Sequence, residues 1–205
     1  MGDGKVLTIY KSGGISYSTE ETEENLKGFT FEGTWSEARK IAENFLEKMR
    51  TYGLWPKNPL MSIEFREVGW AGSRKVFFPN GTVKEEQNFG PSVGFWLKFD
   101  GYKLWGPGAD FGVAIGKGGR IFSAELFWKD VEVEGKTRVI TLEDALKRLT
   151  SEKILGVVDC ITINSIELAY HAYAPGVEQE YLEPIYLFDC TLNNEYNSYL
   201  YVSVP

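Results

Sequence analysis

The feature that most constrains this chain is a run of short alternating segments between Leu60 and Trp128, separated by glycine turns. "LMSIEFREV" alternates apolar and polar residues, the two-residue period of a half-buried strand. "KVFFPNGTVKEE" folds back at Asn80-Gly81, a pair suited to the positive φ angles of a tight hairpin turn. "VGFWLKFDGYKLWG" reads as two strands about Asp100-Gly101, and "FGVAIGKGGRIFSAELFW" as a further hairpin about Gly118-Gly119. Such a run commits the middle of the chain to antiparallel pairing. The aromatic share, 15%, points the same way, because aromatic rings fit a pleated, half-buried surface.

The flanks add more strands and two helices. "KVLTIYKSGGISYST" is a hairpin about Gly13-Gly14, followed by a polar loop from Thr19 to Gly28. In "TWSEARKIAENFLEKMRTYG", Thr34 and Glu37 have capping-box spacing. Ala38, Ile41, Ala42, Phe45, Leu46 and Met49 recur at three-four spacing as one apolar stripe, and Gly53 is a left-handed stop. "TLEDALKRLTSEK" repeats the pattern, with Thr141 and Asp144 at the cap and Leu142, Ala145, Leu146 and Leu149 as the stripe. "DCITINSIELAYHAY", "YLEPIYLFDC" and "YNSYLYVSV" close the chain as strands, with a slip in alternation near Asn164-Ser165 that suggests a bulge.

Helix followed by antiparallel strands therefore occurs twice. The spacing predicts an α+β fold of two degenerate repeats, each a helix packed on an antiparallel β-sheet. Residues 1–28 would be an N-terminal hairpin and acidic loop, 29–138 a first helix-plus-sheet unit and 139–205 a second, in one compact assembly. With 205 residues, such a chain buries roughly 70% of its unfolded surface, enough for a core without metal.

Charge narrows the partners. Lys plus Arg number 22 and Asp plus Glu 29, a net −7, which repels phosphate backbones and anionic membrane surfaces. The densest acidic run, "TEETEEN", reads as a solvated loop. No window approaches the roughly 18 consecutive apolar residues of a transmembrane helix. The opening "MGDGKVLTIY" enters a strand-like run almost at once, which points to more chain upstream.

No catalytic constellation is visible. His171 is the single histidine, so neither a zinc-protease motif nor a facial triad can be built, and strand alternation points it to solvent. Among the carboxylates Glu183, beside Pro184, is the best single candidate for chemistry or for an edge contact. "GKGGR" lacks Walker spacing and precedes a strand, so it reads as a turn. Asn80-Gly81-Thr82 matches a glycosylation acceptor but reads first as a turn. These residues imply no catalytic group, no metal and no cofactor. Trp96, Tyr102 and Trp105 lie in a glycine-rich stretch and, with Glu183, are the candidate surface for a ligand or partner; the alternative for the tryptophans is core packing. Cys160 and Cys190 have their midpoint at residue 175, inside the turn of "YAPGVEQEYLEPIYLF". Opposed strand positions would suit a disulfide and an oxidising compartment; the alternative is two buried free thiols.

Asp100 to Trp128 resembles the repeating unit of PepSY-type and thermolysin-propeptide-type modules. The matching positions are Gly101, Leu104, Gly106, Gly108, Val113, Ile115, Gly119, Ile121 and Trp128. "VITLEDALKRL" resembles the helix that opens a next unit, and the layout is similar to that of YycI-type extracytoplasmic regulators. The resemblance implies a non-catalytic regulatory module outside the cytoplasm, membrane-associated through an anchor upstream. It would bind a protein partner (a protease, a sensor kinase or an envelope protein) and not nucleic acid. A second reading is a ligand-binding module for a sugar, peptide or lipid on the aromatic surface.

Overall fold

A computed structural model describes residues 4–11, 13–19, 31–151, 161–192 and 199–204. The strands are β1 (Lys5–Ile9), β2 (Ile15–Thr19), β3 (Met61–Trp70), β4 (Ser73–Phe77), β5 (Val83–Asn88), β6 (Pro91–Phe99), β7 (Tyr102–Trp105), β8 (Asp110–Ile115), β9 (Ile121–Leu126), β10 (Ile161–His171), β11 (Glu183–Leu192) and β12 (Tyr199–Val204). The helices among the described residues are α1 (Trp35–Thr51) and α2 (Leu142–Ser151).

The expected pair of helix-on-sheet repeats is overturned. Among the described residues strand far outweighs helix, and one mixed sheet of ten strands takes in both halves. β10, β11 and β12 build no second unit; they join the first sheet where β10 pairs in parallel with β7, Tyr170 opposite Leu104. The matching caps at Thr34 and Thr141 misled for a local reason. Any helix start has orphan amide donors, and a threonine with an acid three residues on satisfies them wherever the helix belongs. Thr34 Oγ1 accepts from the Glu37 amide at 3.2 Å and Thr141 Oγ1 from the Asp144 amide at 3.1 Å.

The α1 stripe is as its spacing predicts: Ala38, Ala42 and Leu46 are buried, and Ile41, Phe45 and Met49 pack around them. At its end the Leu54 amide bonds the Met49 carbonyl and the Gly53 amide the Arg50 carbonyl, with Gly53 at φ 72°. That is a Schellman stop, which glycine makes without strain.

The centre of the sheet is β6, whose residues alternate buried and half-buried from Pro91 to Phe99. Val93, Phe95, Leu97 and Phe99 join the core that includes the α1 stripe. β3 pairs with β6 along its whole length. The other edge is shared: β8 pairs with Ser92–Trp96 and β7 with Lys98–Phe99. Beyond β8 lie β9, β2 and β1; beyond β7 lie β10, β11 and β12. The sheet thus forks between β7 and β8, at the 3₁₀ turn Pro107–Ala109. The end of β10 is tied into that fork: the Ala172 amide bonds the Trp105 carbonyl at 2.7 Å, and the Gly108 amide bonds the Ala172 carbonyl at 3.1 Å.

The second helix covers the β10–β11 branch. Ala145 and Leu149 are buried with Phe188 and Cys190, flanked by Ile163, Ile166 and Tyr186. The bulge expected near Asn164-Ser165 is present, as a register shift between Ile163 and Ser165. Between β3 and β6 the chain runs out as a separate two-stranded arm, β4 with β5, closed at Asn80-Gly81.

Candidate functional site

Where the odd-numbered residues of β6 face the core, the even ones face away, and that second face carries a hollow of about 400 Å³. Register builds its floor. Across β3, β6, β8 and β9, Glu67 lies opposite Gly94, Gly94 opposite Gly112, and Gly112 opposite Glu125. The next row, two residues along, is Gly69, Ser92, Ala114 and Ser123. The floor is thus two rows of small residues with a carboxylate at each end of one row. Three strand spacings give it a width of roughly 14 Å.

Gly94 lies opposite a bulge in β3, where the register slips between Phe65 and Glu67, so its place is partly explained within the sheet; Gly112 has no such explanation. Neither Gly94 nor Gly112 has positive φ. A Cβ on Gly112 would meet nothing within 4 Å, and one on Gly94 would meet only the Arg66 and Glu67 side chains, at 3.7 Å or more. Glycine inside a strand costs about 0.5–1 kcal/mol relative to alanine. A strand glycine with no bulge or bend beside it, as at Gly112, marks a place where another chain or a ligand can come close to the backbone.

The walls differ in charge. On the β3 side Arg66 pairs with Glu67 at 3.0 Å and lies 4.5 Å from the Trp96 ring centroid. Lys103 approaches the same ring at 4.6 Å and pairs with Glu167 at 2.6 Å. At the other end stand Glu125 of β9 and its neighbour Asp110 of β8, with no cation paired to either among the described residues. Glu125 is an exposed residue as a whole, yet the protein around its carboxyl removes enough water to push it above the usual range, and the neighbouring Asp110 pushes it further.

That shift predicts a stability effect. The folded state holds the Glu125 proton to higher pH than the unfolded chain does. Stability is therefore fully present at low pH and declines as pH rises from the ordinary glutamate range through the folded pKa. Glu125→Gln removes the decline. The variant should melt above the parent at pH 7 and lose that advantage near pH 4; a parent that melts higher at pH 7 would contradict the assignment.

The residues expected from sequence are placed as follows. Trp96 and Trp105 come together, centroids 6.0 Å apart, but neither lines the hollow. Tyr102 falls on the helix-bearing face against Tyr170, at 5.9 Å, because it is one residue out of phase with Lys103 and Trp105. Glu183 lies two strands from Trp105, opposite His171 in register, and accepts a bond from the Tyr173 hydroxyl at 3.1 Å. His171 is half-buried, not solvent-facing, with its ring against Tyr173 at 5.1 Å. Gln179 pins the turn between these strands, accepting from the Tyr173 amide and donating to the His171 carbonyl. Cys190 is a buried free thiol opposite Ile163, and burial pushes it above its ordinary pKa, then Asp189 further. Cys160 lies outside the described residues, as does the acidic run "TEETEEN" apart from its first threonine. His171 opposite Glu183 centres the hairpin on residue 177, two positions past the midpoint of the two cysteines.

The hollow's own residues were not singled out from sequence. Their signal was present in "VGFWLKF" and "FGVAI", where a glycine occupies an interior position of an alternating strand and no turn accounts for it. No group of three metal-ligating side chains gathers among the described residues, and no described helix is long and apolar enough to cross a membrane. No family model, curated protein or solved structure matches the chain.

Proposed function

We propose that this chain is a non-catalytic binding module that docks a protein partner on the open face of its sheet. The observation that carries the reading is the pair Gly94 and Gly112, opposed in register, with ordinary φ and open space above Gly112. A sheet that keeps glycine there at a cost to its own stability leaves room for another chain to approach. A regulatory role toward a protease, sensor kinase or envelope protein, in an extracytoplasmic setting, belongs to the same proposal and rests on the PepSY-type resemblance. A sugar platform is less well supported, because Arg66 and Lys103 already engage the Trp96 ring.

The test is photo-crosslinking in the native host. A photoreactive residue at Ser123, in the hollow, should trap a discrete partner; one at Lys147, exposed on α2, should not. Gly112→Trp fills the hollow and should abolish the Ser123 adduct while leaving the melting profile intact. Equal adducts at both positions, or a Ser123 adduct that survives Gly112→Trp, would remove the docking face from consideration.

A further inference from the structure

The hollow's shape and charge also select what it holds. We infer that it takes an extended peptide segment bearing an arginine, whose guanidinium is received between Glu125 of β9 and Asp110 of β8. This rests on the docking reading above and deepens it.

Size comes first. A floor roughly 14 Å wide matches about four residues of extended chain at ~3.3 Å each. Its rows hold nothing larger than serine or alanine between the end residues, so a chain can lie against the backbone of β6 and β8. Ser92 and Ser123 stand on the second row, where their hydroxyls can bond the carbonyls and amides of a bound segment.

Charge complementarity then selects the side chain. The charged residues that line the hollow are Arg66, Glu67, Asp110 and Glu125. Arg66 and Glu67 neutralise one another. The surplus is two neighbouring carboxylates, Glu125 on β9 and Asp110 on β8, to which no ion pair is made among the described residues. A planar guanidinium fits a carboxylate through two parallel hydrogen bonds, and its methylene stem can lie over Gly112, where no Cβ intervenes. Arg66 stands on β3, three strand spacings from Glu125, and sets the polarity: a second cation at that end would face Arg66, so the segment carries its arginine toward Glu125.

The probe is the blocked tetrapeptide acetyl-Ser-Arg-Gly-Ser-amide, titrated into the full chain and followed by amide NMR shifts. The expected result is saturable shifts at Gly94 and Gly112. Affinity should fall at least about tenfold when citrulline replaces arginine, and again in Glu125→Gln protein. Glu125→Gln is the informative variant because it is expected to fold at least as well as the parent at neutral pH. Asp110→Asn should weaken binding in the same direction. Equal binding of the citrulline peptide, shifts confined to other surfaces, or no binding would overturn the inference. So would spermidine binding as tightly as the peptide, since a free amine would then be the ligand class. If Gly112→Trp abolishes the Ser123 crosslink while Glu125→Gln changes neither crosslink nor titration, the arginine assignment falls and the docking face stands.

Discussion

Gly108→Ala is expected to be among the most damaging single substitutions in the chain, at about 3 kcal/mol or more. For a domain of this size that is a fall in Tm of roughly 6–12 °C. A Cβ at Gly108 would lie 2.0 Å from the Tyr173 carbonyl oxygen, a backbone atom that cannot move aside without moving the end of β10. The bond from the Gly108 amide to Ala172 would break with it. The fork between β7 and β8 closes only because β10 can come this near. Gly112→Ala provides the contrast. Its Cβ enters open space, so the variant should be neutral or up to about 1 kcal/mol more stable. Thermal unfolding of both checks the pair, and a Gly108→Ala protein melting within 1 °C of the parent (roughly, against the range above) would refute the close approach.

Phe111→Ala is the second large effect, expected at about 3–5 kcal/mol. Phe111 is 1% exposed, opposite Phe95 and Leu126 in register. Its ring meets Trp55 edge-on at 5.9 Å and tilts against Trp128 at 6.1 Å. Two strands, the segment after β9 and the loop before β3 converge on it, so no single neighbour can collapse into the space it leaves. Phe111 also lies between Asp110 and Gly112 on β8, and so holds the floor of the hollow from below. The variant should lose cooperativity of unfolding along with stability. Denaturant titration measures this, and a loss under about 1 kcal/mol would show that the core can repack.

Much of the local structure was legible. Asp100-Gly101 is a two-residue turn with both φ angles positive, 49° and 82°, and the sequence pair demands that geometry. The α1 stripe, its cap and its glycine stop all follow from spacing. The bulge at Asn164 followed from a slip in alternation. The two-repeat architecture did not hold, because similar helix caps say nothing about which strands a helix covers. The hollow was missed for a related reason. A lone glycine inside a strand is ambiguous until its neighbour in register is known. Gly94 and Gly112 lie 18 positions apart, and only the β6–β8 pairing sets them side by side.

By itself the sequence determined where strands begin and turn, which side of each is apolar, and where α1 starts and stops. These are short-range matters of backbone dihedral preference, capping and two- or three-four-residue periods. The tertiary structure alone decided that both halves share one sheet, that β10 joins β7 in parallel through Ala169, Tyr170 and His171, and that small residues from four strands form one floor. Strand pairing is chosen by the free energy of the whole packed assembly, spread thinly over many residues. No short window of the chain contains it.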